Sequence, residues 1–163
     1  MMAGASRDHN RAVGNAFTRL SNQLRNRDCE VFSSDMRVEI FPMTHYTYPD
    51  IVGVCGEQQY DDETQTLANP MLIIEVSSPS TVNYDRDEKF IRYPRITSLH
   101  EYVLIAQAIP RLESYVRQPN VTWIYTLIEG LEGQIELASI GCTLSLADVY
   151  RNVKFETRDQ NEA

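Results

Sequence analysis

The stretch MLIIEV, residues 71–76, sets the tightest limit on what this chain can fold into. Four consecutive apolar residues, Met71 to Ile74, read as a strand covered on both faces. Glu75 follows at once, and Val76 after it. An ionised carboxylate in an apolar setting is costly unless it is paired or bound to a metal. The strand therefore carries an acid where only a partner of opposite charge makes it tolerable.

The remaining segments supply a sheet for this strand and helices to cover it. Val13, Phe17, Leu20 and Leu24 recur at helical spacing and predict a helix over 7–27, with Ser6 as its N-cap and His9 at the edge of the apolar stripe. Strands are expected at 29–33, 36–41, 50–55, 70–77, 101–106, 111–117, 121–128 and 134–140. Residues 42–48 read as a loop, and the acidic stretch 56–69 as a mobile surface loop. A helix over about 83–93 stops at Pro94, and a short helix falls near 146–152. The order predicts a single α/β domain over residues 1–155, with a central mixed sheet flanked by helices. The tail 156–163 is expected to be disordered.

Composition narrows the function. The net charge of −8 over 163 residues argues against a general polyanion binder, which needs clustered cations. The charge is uneven: residues 1–27 hold five Arg against one Asp, so a local basic face is compatible with an acidic protein. No apolar run reaches the roughly 18 residues of a membrane span, and MMAGASRDHN has no signal-peptide core. The expected compartment is the cytoplasm. Cys29, Cys55 and Cys142 show neither a CxxC pair nor zinc spacing and read as reduced, partly buried thiols.

Asp50 opens one strand, and Glu75 lies near the end of another. If the two strands are neighbours, the acids converge, and a hard divalent cation with oxygen ligands relieves their repulsion. Asp85, Lys89 and Tyr93 follow at i, i+4, i+8 on the next helix, where an amine can point back at a phosphate. These are the parts of a metal-dependent phosphodiesterase. Each residue also has a plainer use. Asp85 and Lys89 have the spacing of a helix ion pair worth roughly 0.2–0.5 kcal/mol. Asp50 is a common strand-start residue, Glu75 suits a solvated edge strand, Tyr93 suits packing under the helix, and His9 suits a half-buried position. Arg86, Arg92 and Arg95 read either as phosphate contacts or as a solvated face.

The strings SRDHNRAVGNAF, YPDIVGV, PMLIIEVSSPST, DRDEKFIRY and EYVLI, in this order, resemble the restriction-endonuclease-like PD-(D/E)xK superfamily. More narrowly they resemble a large, cyanobacteria-rich family of endonucleases. The resemblance implies that Asp50 and Glu75 ligate Mg²⁺ or Mn²⁺, with the Val76 carbonyl as a further ligand. Ser77 stands where a standard member has its Lys, and Lys89 resembles the migrated Lys of the family. Asp85 and Tyr93 would orient Lys89, and His9 would line the pocket. Family members usually carry a further acidic residue ahead of the first helix, and this chain starts almost at that helix. The implied activity is hydrolysis of phosphodiester bonds in DNA, by a homodimer. The alternative is a nuclease-fold protein that binds nucleic acid or a protein partner without cleaving.

Overall fold

The β-rich segments assemble into three sheets in the computed structural model, which describes residues 5–41, 44–61 and 63–155, the side chains of Val82 and Asp85 excepted. The expected tail, 156–163, lies outside the described residues. In chain order come α1 (Arg7–Gln23), β1 (Cys29–Ser33), β2 (Val38–Phe41), β3 (His45–Thr47) and β4 (Ile51–Cys55). Then come β5 (Tyr60–Asp61), β6 (Thr66–Leu67) and β7 (Leu72–Ser77). A crossover helix spans Val82 to Arg95 in four pieces. After it come β8 (Glu101–Ala106), β9 (Arg111–Arg117), β10 (Trp123–Glu129), β11 (Gln134–Leu137), β12 (Cys142–Ser145) and a last helical turn, Leu146–Val149.

The main sheet has the order β1-β4-β7-β8-β9-β10. Only β7 and β8 pair in parallel within it, joined by the crossover helix. That makes the chain an α/β protein around a central mixed sheet of six strands, in agreement with a restriction-endonuclease-like fold. All six residues of β7 are buried, as a strand covered on both faces must be.

Alternation along β7 sorts its side chains into two cores. Leu72, Ile74 and Val76 face the core built with α1, β11, β12 and the last turn. Ile73 faces a second core with Val52, Val54, Tyr93, Tyr102 and Tyr115. Glu75 and Ser77 share the face of Ile73, so they point toward the crossover helix. The helix is seated by aromatic contact. Phe90 lies 4.4 Å from Tyr115 between ring centroids, and Tyr93 meets Tyr102 edge-on at 5.1 Å.

Four expectations need correction. The loop expected over 42–48 contains β3, which pairs with β2. The loop expected over 56–69 contains β5 and β6, because Leu67 is fully buried in the second core and Arg37 Nε donates to Thr66 Oγ1 at 2.7 Å. The segment 134–140 ends its strand at Leu137, and β12 returns to pair with it. Cys29 and Cys55 are not reduced thiols. They face each other in the β1–β4 register with Cα atoms 3.9 Å apart and form a disulfide. Spacing of 26 residues could not reveal that antiparallel pairing would make them neighbours. Cys142 remains a free, buried thiol.

Candidate active site

The β4–β7 ladder brings the two acids together. Ile51 pairs with Ile74, and the same register carried one residue outward sets Asp50 opposite Glu75. The backbone N–H of Asp50 donates to Glu75 Oε2 at 3.3 Å, and the N–H of Val76 donates to Asp50 Oδ2 at 2.8 Å. Val52 and Val54 belong to the same core as Ile73, so Asp50 and Glu75 stand on one face of the sheet. Pro49 is buried immediately before Asp50 and fixes the approach of the chain.

Lys89 and Tyr93 reach the same oxygen. Lys89 Nζ donates to Glu75 Oε1 at 2.9 Å, and Tyr93 Oη donates to it at 2.7 Å. Tyr93 also lies 3.4 Å from the Thr47 hydroxyl. The helix that carries them is not a regular α-helix. Asp85–Lys89 is a π-helical turn between α-helical Val82–Tyr84 and Phe90–Arg92, and Tyr93–Arg95 tightens into a 3₁₀ turn. Single π turns inside helices recur at functional sites. The Asp85 side chain, expected to orient Lys89, lies outside the described residues.

His9 enters from α1. Ser6 caps the helix, as expected, by accepting from His9 N at 3.1 Å. This fixes the first turn and places His9 Nε2 3.3 Å from Asp50 Oδ2. Its Nδ1 is buried and has no hydrogen-bond partner among the described residues. Ser77 is also buried, and its Oγ has no such partner. It opens on a neighbouring cavity of about 290 Å³ with Arg86, Arg111 and Glu113.

Burial dominates the electrostatics. Glu75 is 3% exposed, and loss of hydration pushes its carboxyl up from 4.5 to about 7. The positive charge of Lys89 pulls the other way, but the nearby charge of Asp50 adds to the rise. Burial likewise pushes the Tyr93 phenol well above its usual range. The hydrogen bond to Asp50 raises His9, against the effect of burial. A raised carboxyl beside a second acid, at the floor of a cleft of about 610 Å³, has the marks of a functional site.

Two other buried acids have structural partners. Glu101 accepts from the backbone N–H groups of Ala138 and Ser139 and from the Ser139 hydroxyl. Glu113 accepts from Arg86 at 3.1 Å and from Tyr125 at 2.8 Å. Arg86, read from sequence as a phosphate contact or a solvated charge, is paired with Glu113 and partly exposed. It clamps the helix to β9, three residues from Lys89. Arg92 pairs with Glu88 at 3.6 Å, and Arg95 stacks on Phe41 at 4.8 Å. Sequence reading missed Glu113, Thr47 and the exposed Tyr48 and Tyr84 that line the cleft. The alternation of β9 signalled only that Glu113 shares the face of Tyr115.

The convergence of Asp50, Glu75 and Lys89 is the pattern that the PD-(D/E)xK motif describes. A family model described as "Putative restriction endonuclease" (Uma2) matches residues 1–147. The chain belongs to this family. Its relatives include two uncharacterized proteins of Synechocystis sp. One, sll1609, is 37% identical over 138 residues, covering 84% of this chain and 78% of that protein. The other, slr1290, is 30% identical over 154 residues, covering 94% of this chain and 80% of that protein. Family membership carries a nuclease-like function at the level of the superfamily. No helix among the described residues is long and apolar enough to cross a membrane.

Proposed function

We propose that this Uma2-family protein is a divalent-metal-dependent endonuclease that hydrolyses phosphodiester bonds in DNA. The observation that carries the reading is Glu75. It is buried, held near neutrality in its proton affinity, and set against Asp50 on one face of the sheet. Such a pair fits a hard cation, because a positive ion removes both the repulsion and the cost of ionising Glu75.

Asp50 and Glu75 would hold Mg²⁺ or Mn²⁺. The Val76 carbonyl is the natural third ligand, since the N–H and C=O of a strand residue turn to the same side and this N–H already faces Asp50. The metal would supply a water of lowered pKa and a polarised phosphoryl oxygen. Tyr93 holds Glu75 in place through Oε1, and His9 holds Asp50. Lys89 brings an ammonium group to the charge that develops on the phosphate. Arg86 and Glu113 anchor the turn from which Lys89 projects. A homodimer belongs to the same reading. β10 is an edge of the main sheet and exposes Ile124, Tyr125 and Leu127, a surface that a second copy would cover.

The alternative is a protein that binds nucleic acid or a protein partner without cleaving. A plasmid-nicking assay in millimolar Mn²⁺ decides between them. The native chain is expected to nick and Lys89→Ala to lose nearly all activity. Equal rates for the two would remove Lys89 from the mechanism, and no cleavage of either plasmid or single-stranded DNA by the native chain would leave a binding protein.

A further inference from the structure

The cleft over Asp50 and Glu75 is short of cations and bordered by aromatic rings. Lys89 and His9 are its cationic side chains, and each is already set against a carboxylate. The rim otherwise offers neutral hydroxyls, with the Ser78 hydroxyl bonded to those of Ser80 and Thr81. A closed duplex is held chiefly through Lys and Arg on its phosphates, and among the described residues lining this cleft Lys89 is the one such side chain. The protein's net charge of −8 makes the deficit worse.

Two tyrosines supply what the charges do not. Tyr48, directly before Pro49 and Asp50, is 59% exposed. Tyr84, the last residue before the π turn that carries Lys89, is 50% exposed. They reach the same cleft from different elements, one from the β3–β4 connection and one from the crossover helix. Neither makes a ring contact or hydrogen bond among the described residues, so neither is explained by the fold. Exposed aromatic rings beside a nucleic-acid site stack on unpaired bases, and every base has a face to offer. Stacked bases inside a duplex have no free face.

We propose that Tyr48 and Tyr84 form a stacking platform for unpaired bases, so that the site takes a single DNA strand in preference to a closed duplex. The proposal rests on the nuclease reading only for the identity of the ligand. Its test does not depend on cleavage.

Affinity of the full chain is measured by fluorescence anisotropy in EDTA, which prevents turnover, with a labelled single-stranded oligonucleotide and with the duplex of the same sequence. The single strand is expected to bind at least about tenfold more tightly. Tyr48→Ala and Tyr84→Ala should each weaken it about 5- to 150-fold, the range for loss of one stacked base. Tyr48→Phe and Tyr84→Phe should retain affinity, which separates stacking from the hydroxyl. Both positions are exposed, and unchanged melting temperatures show that the variants fold. Equal binding of duplex and single strand, no detectable single-strand binding, or unchanged affinity in the alanine variants overturns the platform. If nicking persists while the alanine variants bind normally, the platform falls and the nuclease reading stands. If single-strand binding depends on the tyrosines but no divalent ion gives cleavage, the platform stands and hydrolysis falls.

Discussion

Asp50 stands opposite Glu75 across the β4–β7 pair, and its backbone N–H donates to the Glu75 carboxylate at 3.3 Å. Two acids so placed destabilise the protein when both are ionised and no cation lies between them. The expected behaviour of the site follows from that cost.

The first expectation concerns pH. The Glu75 carboxyl is raised from 4.5 to about 7 by burial, so the folded protein holds this proton more tightly than the unfolded chain. Its contribution to stability is complete below about pH 4.5 and is lost as pH rises through about 7. The span is worth about 3 kcal/mol. Denaturant titrations in EDTA should show this decline, and Glu75→Gln should flatten it. His9, also raised, adds a slope of the same sign beginning near 6.5, so some pH dependence survives in that variant. An unchanged slope in Glu75→Gln would refute the assignment.

A divalent ion should reverse the cost. Millimolar Mg²⁺ or Mn²⁺ is expected to raise the melting temperature at pH 8 by binding the ionised pair in the folded state only. Asp50→Ala and Glu75→Ala should abolish the rise. Differential scanning fluorimetry gives the answer, and no rise in the native chain counts against a metal site.

The Arg86–Glu113 clamp predicts an asymmetry. Glu113 is almost fully buried, while the Arg86 side chain is 38% exposed. Removing Arg86 strands a buried charge, whereas neutralising Glu113 leaves a cation that reaches water. Arg86→Ala should therefore cost about 3 kcal/mol and Glu113→Gln about 1 kcal/mol. Chemical denaturation of the two variants measures the difference, and the reverse order would show that Glu113 draws its stability from Tyr125 instead.

The Cys29–Cys55 bond closes a loop of 26 residues in sequence separation. Its closure stabilises the fold by about 3 kcal/mol in the chain-entropy account. Reductant should lower the melting temperature by roughly 6–12 °C. The double substitution Cys29→Ser with Cys55→Ser should make the protein insensitive to reductant. Identical melting with and without reductant in the native chain would mean that the thiols are not joined.

The exposed edge of β10 predicts self-association. Leu127, 40% exposed, lies at the middle of the apolar edge. Light scattering should find a dimer of the native chain and a monomer of Leu127→Arg, because a charge at a dry interface is costly. A monomeric native chain would remove the dimer from the functional reading.

Much of the site was legible because its parts are local strings. Glu75 at the end of MLIIEV, Asp50 after Pro49, and Lys89 and Tyr93 four residues apart all announce themselves by type and spacing. The two-sided burial of β7 and the N-cap at Ser6 followed from pattern as well. What spacing could not show was the π turn at Asp85–Lys89, since its widened hydrogen bonding leaves no mark in residue type. Nor could it show that Arg86 would be consumed by Glu113, 27 residues away on β9.

The chain's own order of residues determined which side chains are costly to bury and which elements carry them, for hydrophobic period and local capping act over a few residues. Only the tertiary structure decided who meets whom. The β4–β7 register, the β1–β4 pairing that joins Cys29 to Cys55, and the seating of the crossover helix on Tyr102 and Tyr115 are long-range choices. They are made by packing whole faces together, and a one-residue slip in the β4–β7 ladder would turn Asp50 away from Glu75.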